Sequence, residues 1–273
     1  MPWILETLGA VELWRPQRTP AGCVVAMTTR RGGVSAPPYD ELNLGRSTED
    51  LAAAVTENRR RVLHALGFSA ERVATAGQVH GTRVTEVRAA GLHPETDALV
   101  TREAGLALAV SGADCLPIVY CAGRAVAAAH SGWRGTADGM PRSALAAILA
   151  LSGTAAAEAR VYLGPCIGPC CYRVGDDVAA RFPEAAVVHR ESGSFVHLAT
   201  AARLQLESAG VPPDAILDPP ACTACDSRWC YSHRRDRGVT GRHWGIAGRI
   251  PDADGWAADY SNSTAPAAPR RSR

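Results

Sequence analysis

The chain has 273 residues, 47% of them apolar, which is enough for one large domain or two small ones with a sizeable core. Its formal net charge is only +2 and its basic residues are scattered, so composition offers no nucleic-acid-binding face. Arginine occurs throughout and lysine nowhere, which excludes lysine Schiff-base chemistry and a P-loop lysine.

The opening MPWILETLGAVELWR carries Glu6 and Glu12 where a secretion signal needs positive charge, and no apolar run is long enough for a membrane span. CVVAMTTR (23–30) is β-branched and apolar and predicts a buried strand; the Gly/Pro-rich RGGVSAPPYDELNLG that follows predicts a loop. A helix is expected to open at Ser47, with Asp50 completing a capping box, a stripe of Leu51, Val55, Val62 and Leu66, and Gly67 as its C′ residue. From residue 73 onward VATAGQVHG, TRVTEVR, DALVTR, GLALAVSGAD, LPIVYCAG and RAVAAAHSG predict a run of strands separated by turns. Then follow a helix from Thr136 to Ser152 closed by Gly153, a strand at 159–165, helices in GDDVAARF and HLATAARLQLESAG (the second closed by Gly210), and a last strand in GRHWGIAGRI. The tail at 251–273 is small and polar and predicts disorder. No repeat or linker divides the chain, so residues 1–250 are expected to form a single mixed α and β domain.

Three polar motifs fall at ends of predicted strands, where a rigid scaffold holds chemistry. QVHG places His80 there, ADCLP places Asp114 and Cys115 between two strands, and AHSGWRG places His130 before a Gly-rich turn that also contains Arg134. Two imidazoles and one thiolate suit zinc, and three protein ligands leave a fourth position for water or substrate. A helix start beside them would favour an anion such as phosphate. Spacings of 35 and 15 residues match no compact zinc pattern, and two ordinary histidines with a buried thiol would read the same.

RGGVS, NLG, QVHG, ADCLP, HSGWRG, GPCIGPCCYRVG, CT and SHRRDRGVTGR occur in the order found in the YfiH-like family, and the chain resembles that family over about residues 23 to 250. The family is also called DUF152, peptidoglycan editing factor, polyphenol oxidase or laccase-domain protein. The resemblance implies an α+β fold, a layered α/β/β/α sandwich like that of the cytotoxic-necrotising-factor-like cysteine hydrolases. It implies a zinc site at His80, Cys115 and His130. It also implies phosphorolysis of adenosine, inosine and methylthioadenosine, with adenosine deaminase activity, and hence purine nucleosides and phosphate as small-molecule partners. A cytoplasmic setting is expected separately, from the nine cysteines, an odd number that reads as reduced thiols. Asp114 is a candidate proton shuttle, or alternatively a partner that orients a ligand histidine. Arg30, Asn43 and Gln78 are candidates for binding a purine edge or ribose hydroxyls. Arg134 is a candidate for binding phosphate, as is one of the adjacent pair Arg234 and Arg235, with Arg235 taken as that one, although the pair could instead engage Asp236.

Other readings stay open. Cys115 activated by His130 could be a nucleophile that cleaves an amide in a peptidoglycan precursor. Copper fits less well, because no methionine is placed as an axial ligand and eight histidines are few for a multicopper oxidase. Cys222, Cys225, Cys230 and His233 have the spacing of a zinc knuckle, whereas Cys166, Cys170 and Cys171 read as small buried packing residues. Two positions depart from the family: Ser131 stands where alanine is commoner and Arg173 where glutamate is usual.

Overall fold

The computed structural model describes residues 2–250, so the expectation for the tail lies outside the described residues. The chain begins with β1 (Trp3–Leu8), β2 (Val11–Pro16) and β3 (Cys23–Thr28), then α1 (Ala52–Ala65) and β4 (Val73–Gly77). Six strands follow: β5 (Val84–Glu86), β6 (Gly91–Pro94), β7 (Ala98–Thr101), β8 (Ala107–Gly112), β9 (Leu116–Ala122) and β10 (Ala125–Ser131). Next come α2 (Trp133–Ala137), α3 (Met140–Ser152), β11 (Arg160–Leu163), β12 (Arg173–Val174) and α4 (Asp176–Ala179). The described chain closes with β13 (Val187–Arg190), β14 (Gly193–Val196), α5 (Leu198–Ser208), β15 (Ile216–Leu217) and β16 (His243–Arg249).

Two large sheets carry the core. One has the order β1-β2-β3-β16-β8-β4-β6 and the other β15-β11-β9-β10-β7-β5, with a small sheet β12-β14-β13 beside them. Alternation along β3 shows how they stack. Val25 and Met27 face Val119, Cys121, Val126 and Ala128 of the second sheet, while Val24 and Ala26 face Val62, Leu63 and Leu66 at the α1 end. On the outer side of the second sheet, Ile118, Tyr120 and Ala127 meet Leu145 and Ile148 of α3 and Leu198, Ala202 and Leu206 of α5. The order through the molecule is therefore helix, sheet, sheet, helices. Strands β9 and β10 are buried on both faces, which is why their sequences are continuous apolar runs without alternation. No helix among the described residues is long and apolar enough to cross a membrane.

Two expected helix boundaries are corrected. α1 starts at Ala52, not Ser47, and has no side-chain cap. The Asp50 carboxylate instead accepts hydrogen bonds from Ser35 Oγ (2.6 Å) and Asn43 Nδ2 (2.9 Å), which tie down the preceding loop. The helix expected over 136–152 is split in two, because Gly139 takes a left-handed φ of 95° that an α-helix cannot contain. Gly67, Gly153 and Gly210 have positive φ at helix ends, as their positions predict.

Candidate active site

The three expected ligands converge. His80 lies in the turn after β4, at φ 64°. That turn is held by one carboxylate: Asp97 accepts the backbone N–H groups of Val79 (3.2 Å), His80 (2.9 Å) and Gly81 (2.8 Å). Cys115 sits where the chain leaves β8 in one sheet for β9 in the other. His130 is near the end of β10. The ligating atoms of His80, Cys115 and His130 all lie within 4.8 Å of one another, and the two imidazoles meet edge to face with centroids 4.9 Å apart. Gly132 makes room for this meeting, since a Cβ there would lie 3.1 Å from both Cys115 Sγ and His80 Cδ2.

Asp97 also holds His130. Its Oδ1 lies 2.9 Å from His130 Nδ1, and its backbone oxygen accepts the His130 N–H at 2.7 Å. Pinning Nδ1 in this way leaves Nε2 to face the other two ligands, the arrangement that metal-ligating histidines favour. Charges within the trio reinforce one another. Burial pushes the Cys115 thiol up, yet His130 and His80 outweigh it and bring the thiol down to about 6. Burial likewise opposes charging of His130, but the Cys115 thiolate and Asp97 carry it up to about 9. Burial also works against the charged form of Asp97, and His130 with the N–H groups of Gly81 and Val79 more than compensates, holding the carboxyl below its ordinary value. The donor set, its spacing and the pinned imidazole fit a divalent cation such as zinc.

The trio lies in a cleft of about 680 Å3. Arg46, Arg59, Arg234 and Arg242 line it, with Trp244 and Leu92 supplying apolar surface. Arg59 Nη1 is buried without a hydrogen-bond partner, while Nε donates to Leu44 O and the guanidinium stacks 4.7 Å from the Trp244 ring. Burial, with Arg46 nearby, pushes Arg59 down to about 9. A buried guanidinium nitrogen without a partner, beside a second cation, is a place where an anion would be stabilised.

The other candidates separate into those in the cleft and those outside it. Gln78 and Asp114 line it. Gln78 is engaged with Ser111, donating from Nε2 to its carbonyl (2.7 Å) and accepting its N–H on Oε1 (2.8 Å). Asp114 does not orient a ligand histidine; it accepts from Thr223 Oγ1 (2.6 Å) and Arg234 N (2.7 Å), and Asp97 performs the orienting. Arg30 does not line the cleft, because Asp40 and Ser227 O occupy its guanidinium, which also stacks on Tyr231. Asn43 is fully buried and spends its amide on Thr48, Asp50, Gly45 N and Arg242 N. Arg134 is exposed over Trp133, on a helix of only five residues, outside the cleft. Arg235 turns inward to Asp236, Thr223 O and Cys230 O, so of the adjacent pair it is Arg234 that faces the cleft. Arg173 is exposed on β12, and its carbonyl accepts Arg234 Nη1 at 2.8 Å.

The knuckle spacing is not realised as a site. Cys230 is buried between the sheets and His233 lines the cleft, while Cys222 and Cys225 stand with Cys170 and Cys171. Cys170 is exposed and Cys171 half-buried, so neither is the buried packing residue expected; Cys166 is. Asp97, Arg46, Arg59 and Arg242 escaped the sequence reading. Asp97 left one signal, an acid opening the apolar run of β7, and Arg242 lies within the GVTGR stretch of a quoted motif. Arg46 and Arg59 left none.

A family model described as multi-copper polyphenol oxidoreductase laccase matches residues 24–249. The chain is 40% identical over 249 residues to a Geobacillus stearothermophilus protein named purine nucleoside phosphorylase YlmD, a match spanning 84% of this chain and 91% of that one. A Deinococcus radiodurans protein named purine nucleoside phosphorylase is 41% identical over 236 residues, spanning 84% and 90%. The crystal structure of the Geobacillus protein superposes with a TM-score of 0.84 at 36% identity, covering 92% of this chain and all (100%) of that one. A hypothetical protein YfiH from Bacillus licheniformis gives 0.82 at 30% identity, covering 91% and 99%.

Proposed function

This chain belongs to the laccase-domain family that includes the YfiH and DUF152 proteins, and from that membership we propose that it is a zinc-dependent purine nucleoside phosphorylase with adenosine deaminase activity. The proposed substrates are adenosine, inosine and methylthioadenosine, the proposed setting is the cytoplasm, and residues 1–250 are taken as one catalytic domain. The observation that carries the reading is the convergence of His80, Cys115 and His130 in an arginine-lined cleft. Zinc held there would supply Lewis acidity beside the reacting atoms.

In phosphorolysis the bond from the ribose C1′ to the purine nitrogen breaks, the base leaves with the bonding pair, and a phosphate oxygen forms the new bond to C1′. Arg59, Arg46 and Arg242 hold the phosphate, and the free Nη1 of Arg59 is the donor that most needs it. Trp244 and Leu92 give the base an apolar wall that excludes water. Asp114 is the one carboxylate among the described residues lining the cleft, so proton transfer to the leaving base, and to leaving ammonia in deamination, falls to it. Gln78, with its amide fixed by Ser111, has a lining rather than a reacting role.

The test measures ribose 1-phosphate and free base from inosine and adenosine, with and without phosphate, for wild type and Cys115→Ala. Phosphate-dependent product from wild type, reduced at least about 100-fold in the variant as expected for a group acting at the reacting centre, supports the reading. No base release by zinc-loaded wild type removes it.

One observation favours a second reading. The Cys115 thiol, brought down beside the raised His130 imidazole within ligating distance, is the pairing a cysteine amidase uses, and the sequence resemblance to cysteine hydrolases and to a peptidoglycan editing factor is what motivates this reading. Chelation separates the two, since a cysteine–histidine dyad survives metal removal and a zinc enzyme does not. Copper phenol oxidation has less support: Met27 and Met140 are both buried in cores and neither lines the cleft.

A further inference from the structure

A second group of metal-type donors stands apart from the cleft. The sulfurs of Cys170, Cys171, Cys222 and Cys225 all lie within 4.8 Å of one another. Cys170 Sγ is 3.5 Å from Cys222 Sγ and 3.4 Å from Cys225 Sγ, and Cys171 Sγ is 3.4 Å from Cys225 Sγ. These separations are far beyond a disulfide bond of about 2.05 Å. They approach the edge of about 3.8 Å expected when four thiolates surround zinc tetrahedrally at about 2.3 Å.

The connectivity points the same way. Cys170 and Cys225 each touch two other sulfurs, so the contacts run unbroken from Cys222 through Cys170 and Cys225 to Cys171, and with all four sulfurs within 4.8 Å of one another they surround one point. Gly168 N donates to Cys222 Sγ at 3.2 Å, an N–H···S bond that stabilises a thiolate. A Cβ on Gly168 would lie 3.3 Å from Cys170 Sγ and 3.4 Å from Cys222 Sγ, so glycine keeps the space among the sulfurs clear. The four thiols come from two loops 51 to 55 residues apart in sequence, already laid together by a bridge between Cys166 and Cys222.

We propose that Cys170, Cys171, Cys222 and Cys225 form a structural zinc site with four thiolate ligands. With all four vertices taken by protein, the ion does no chemistry. Its work is to clamp the loop after β11 to the segment leading to β16. Both carry parts of the cleft: Tyr172, beside Cys171, lines it, and Thr223, beside Cys222, donates to Asp114. The clamp therefore holds in place the part of the cleft wall that carries Tyr172 and Asp114. The proposal does not rest on nucleoside chemistry, and its test reads no activity.

The full-length chain is purified anaerobically, and zinc per chain is measured by mass spectrometry for wild type, the Cys170→Ser/Cys225→Ser double variant and Cys115→Ala. The double variant is expected to carry one zinc fewer than wild type. Cys115→Ala is expected to keep a zinc whose X-ray absorption shows four sulfurs at about 2.3 Å. If the double variant fails to fold, the Cys115→Ala spectrum decides alone. Equal zinc in wild type and a folded double variant overturns the proposal. So does a retained ion in Cys115→Ala with nitrogen ligands, iron in place of zinc, or a thiol count showing disulfides in the anaerobic protein.

Discussion

Asp97 fixes the ligand set without belonging to it. It is fully buried, and one carboxylate holds the His80 turn by three N–H groups and the His130 ring by Nδ1. Asparagine at this position keeps the size but loses the charge, and turns an NH2 group toward donors that need an acceptor. With zinc as the proposed metal, Asp97→Asn is therefore expected to weaken its binding by about 10- to 100-fold, read by competition with a chromogenic chelator. If Asp97 acts by positioning the ligands, excess zinc restores much of the variant's turnover. A folded Asp97→Asn with wild-type zinc affinity would show that the imidazole needs no such support.

At the scale of elements, glycine decides how closely the two sheets approach. Gly164, just past β11, faces Met27 of β3 and Pro117 of β9, and a Cβ on it would lie 2.5 Å from Met27 Sδ and 2.6 Å from Pro117 Cγ. Gly164→Ala is expected to cost about 1 to 3 kcal/mol of stability through overpacking, seen as a lower urea midpoint at unchanged slope. An unchanged midpoint would mean the sheets yield more readily than the packing suggests. Packing of this kind also explains what the sequence could reveal. Central strands such as β9 and β10 were legible because burial on both faces demands long apolar runs. β6, mostly exposed and ending in Pro94, and the short β12 have no such signature and were missed. At the site, His80, Cys115 and His130 were legible through short motifs, and their side chains meet. The substrate contacts were not: an arginine in a motif can face a cleft, as Arg234 does, or a neighbouring loop, as Arg235 does, and only the folded chain decides.

The site belongs to the whole molecule because its ligands come from both sheets and from the crossover between them. Anything that loosens the stack disperses the trio, so conditions that lower global stability are expected also to lower occupancy by the proposed metal. Acid is one such condition. His243 is buried at the start of β16 and accepts the Tyr231 N–H on Nε2 at 2.7 Å. Burial, with Arg30 and Arg235 nearby, pushes it down to about 3 from 6.5. Between those values the unfolded chain takes up a proton that the folded chain refuses, so the stability His243 contributes is complete above pH 6.5 and drains away as pH falls. The loss approaches about 1.4 kcal/mol per pH unit within the window. His197, lowered by burial, acts in the same direction, and Asp97 and Asp236, held below the ordinary carboxylate value, add their share at lower pH. With no metal bound, His130, raised to about 9, is protonated in both states well below 6.5 and leaves this window unchanged. Melting temperature is therefore expected to fall from pH 6.5 to 5 in wild type and to fall less steeply in His243→Gln, whose amide oxygen can still accept the Tyr231 N–H without titrating. Parallel melting curves for the two proteins over that range would show that acid sensitivity arises elsewhere.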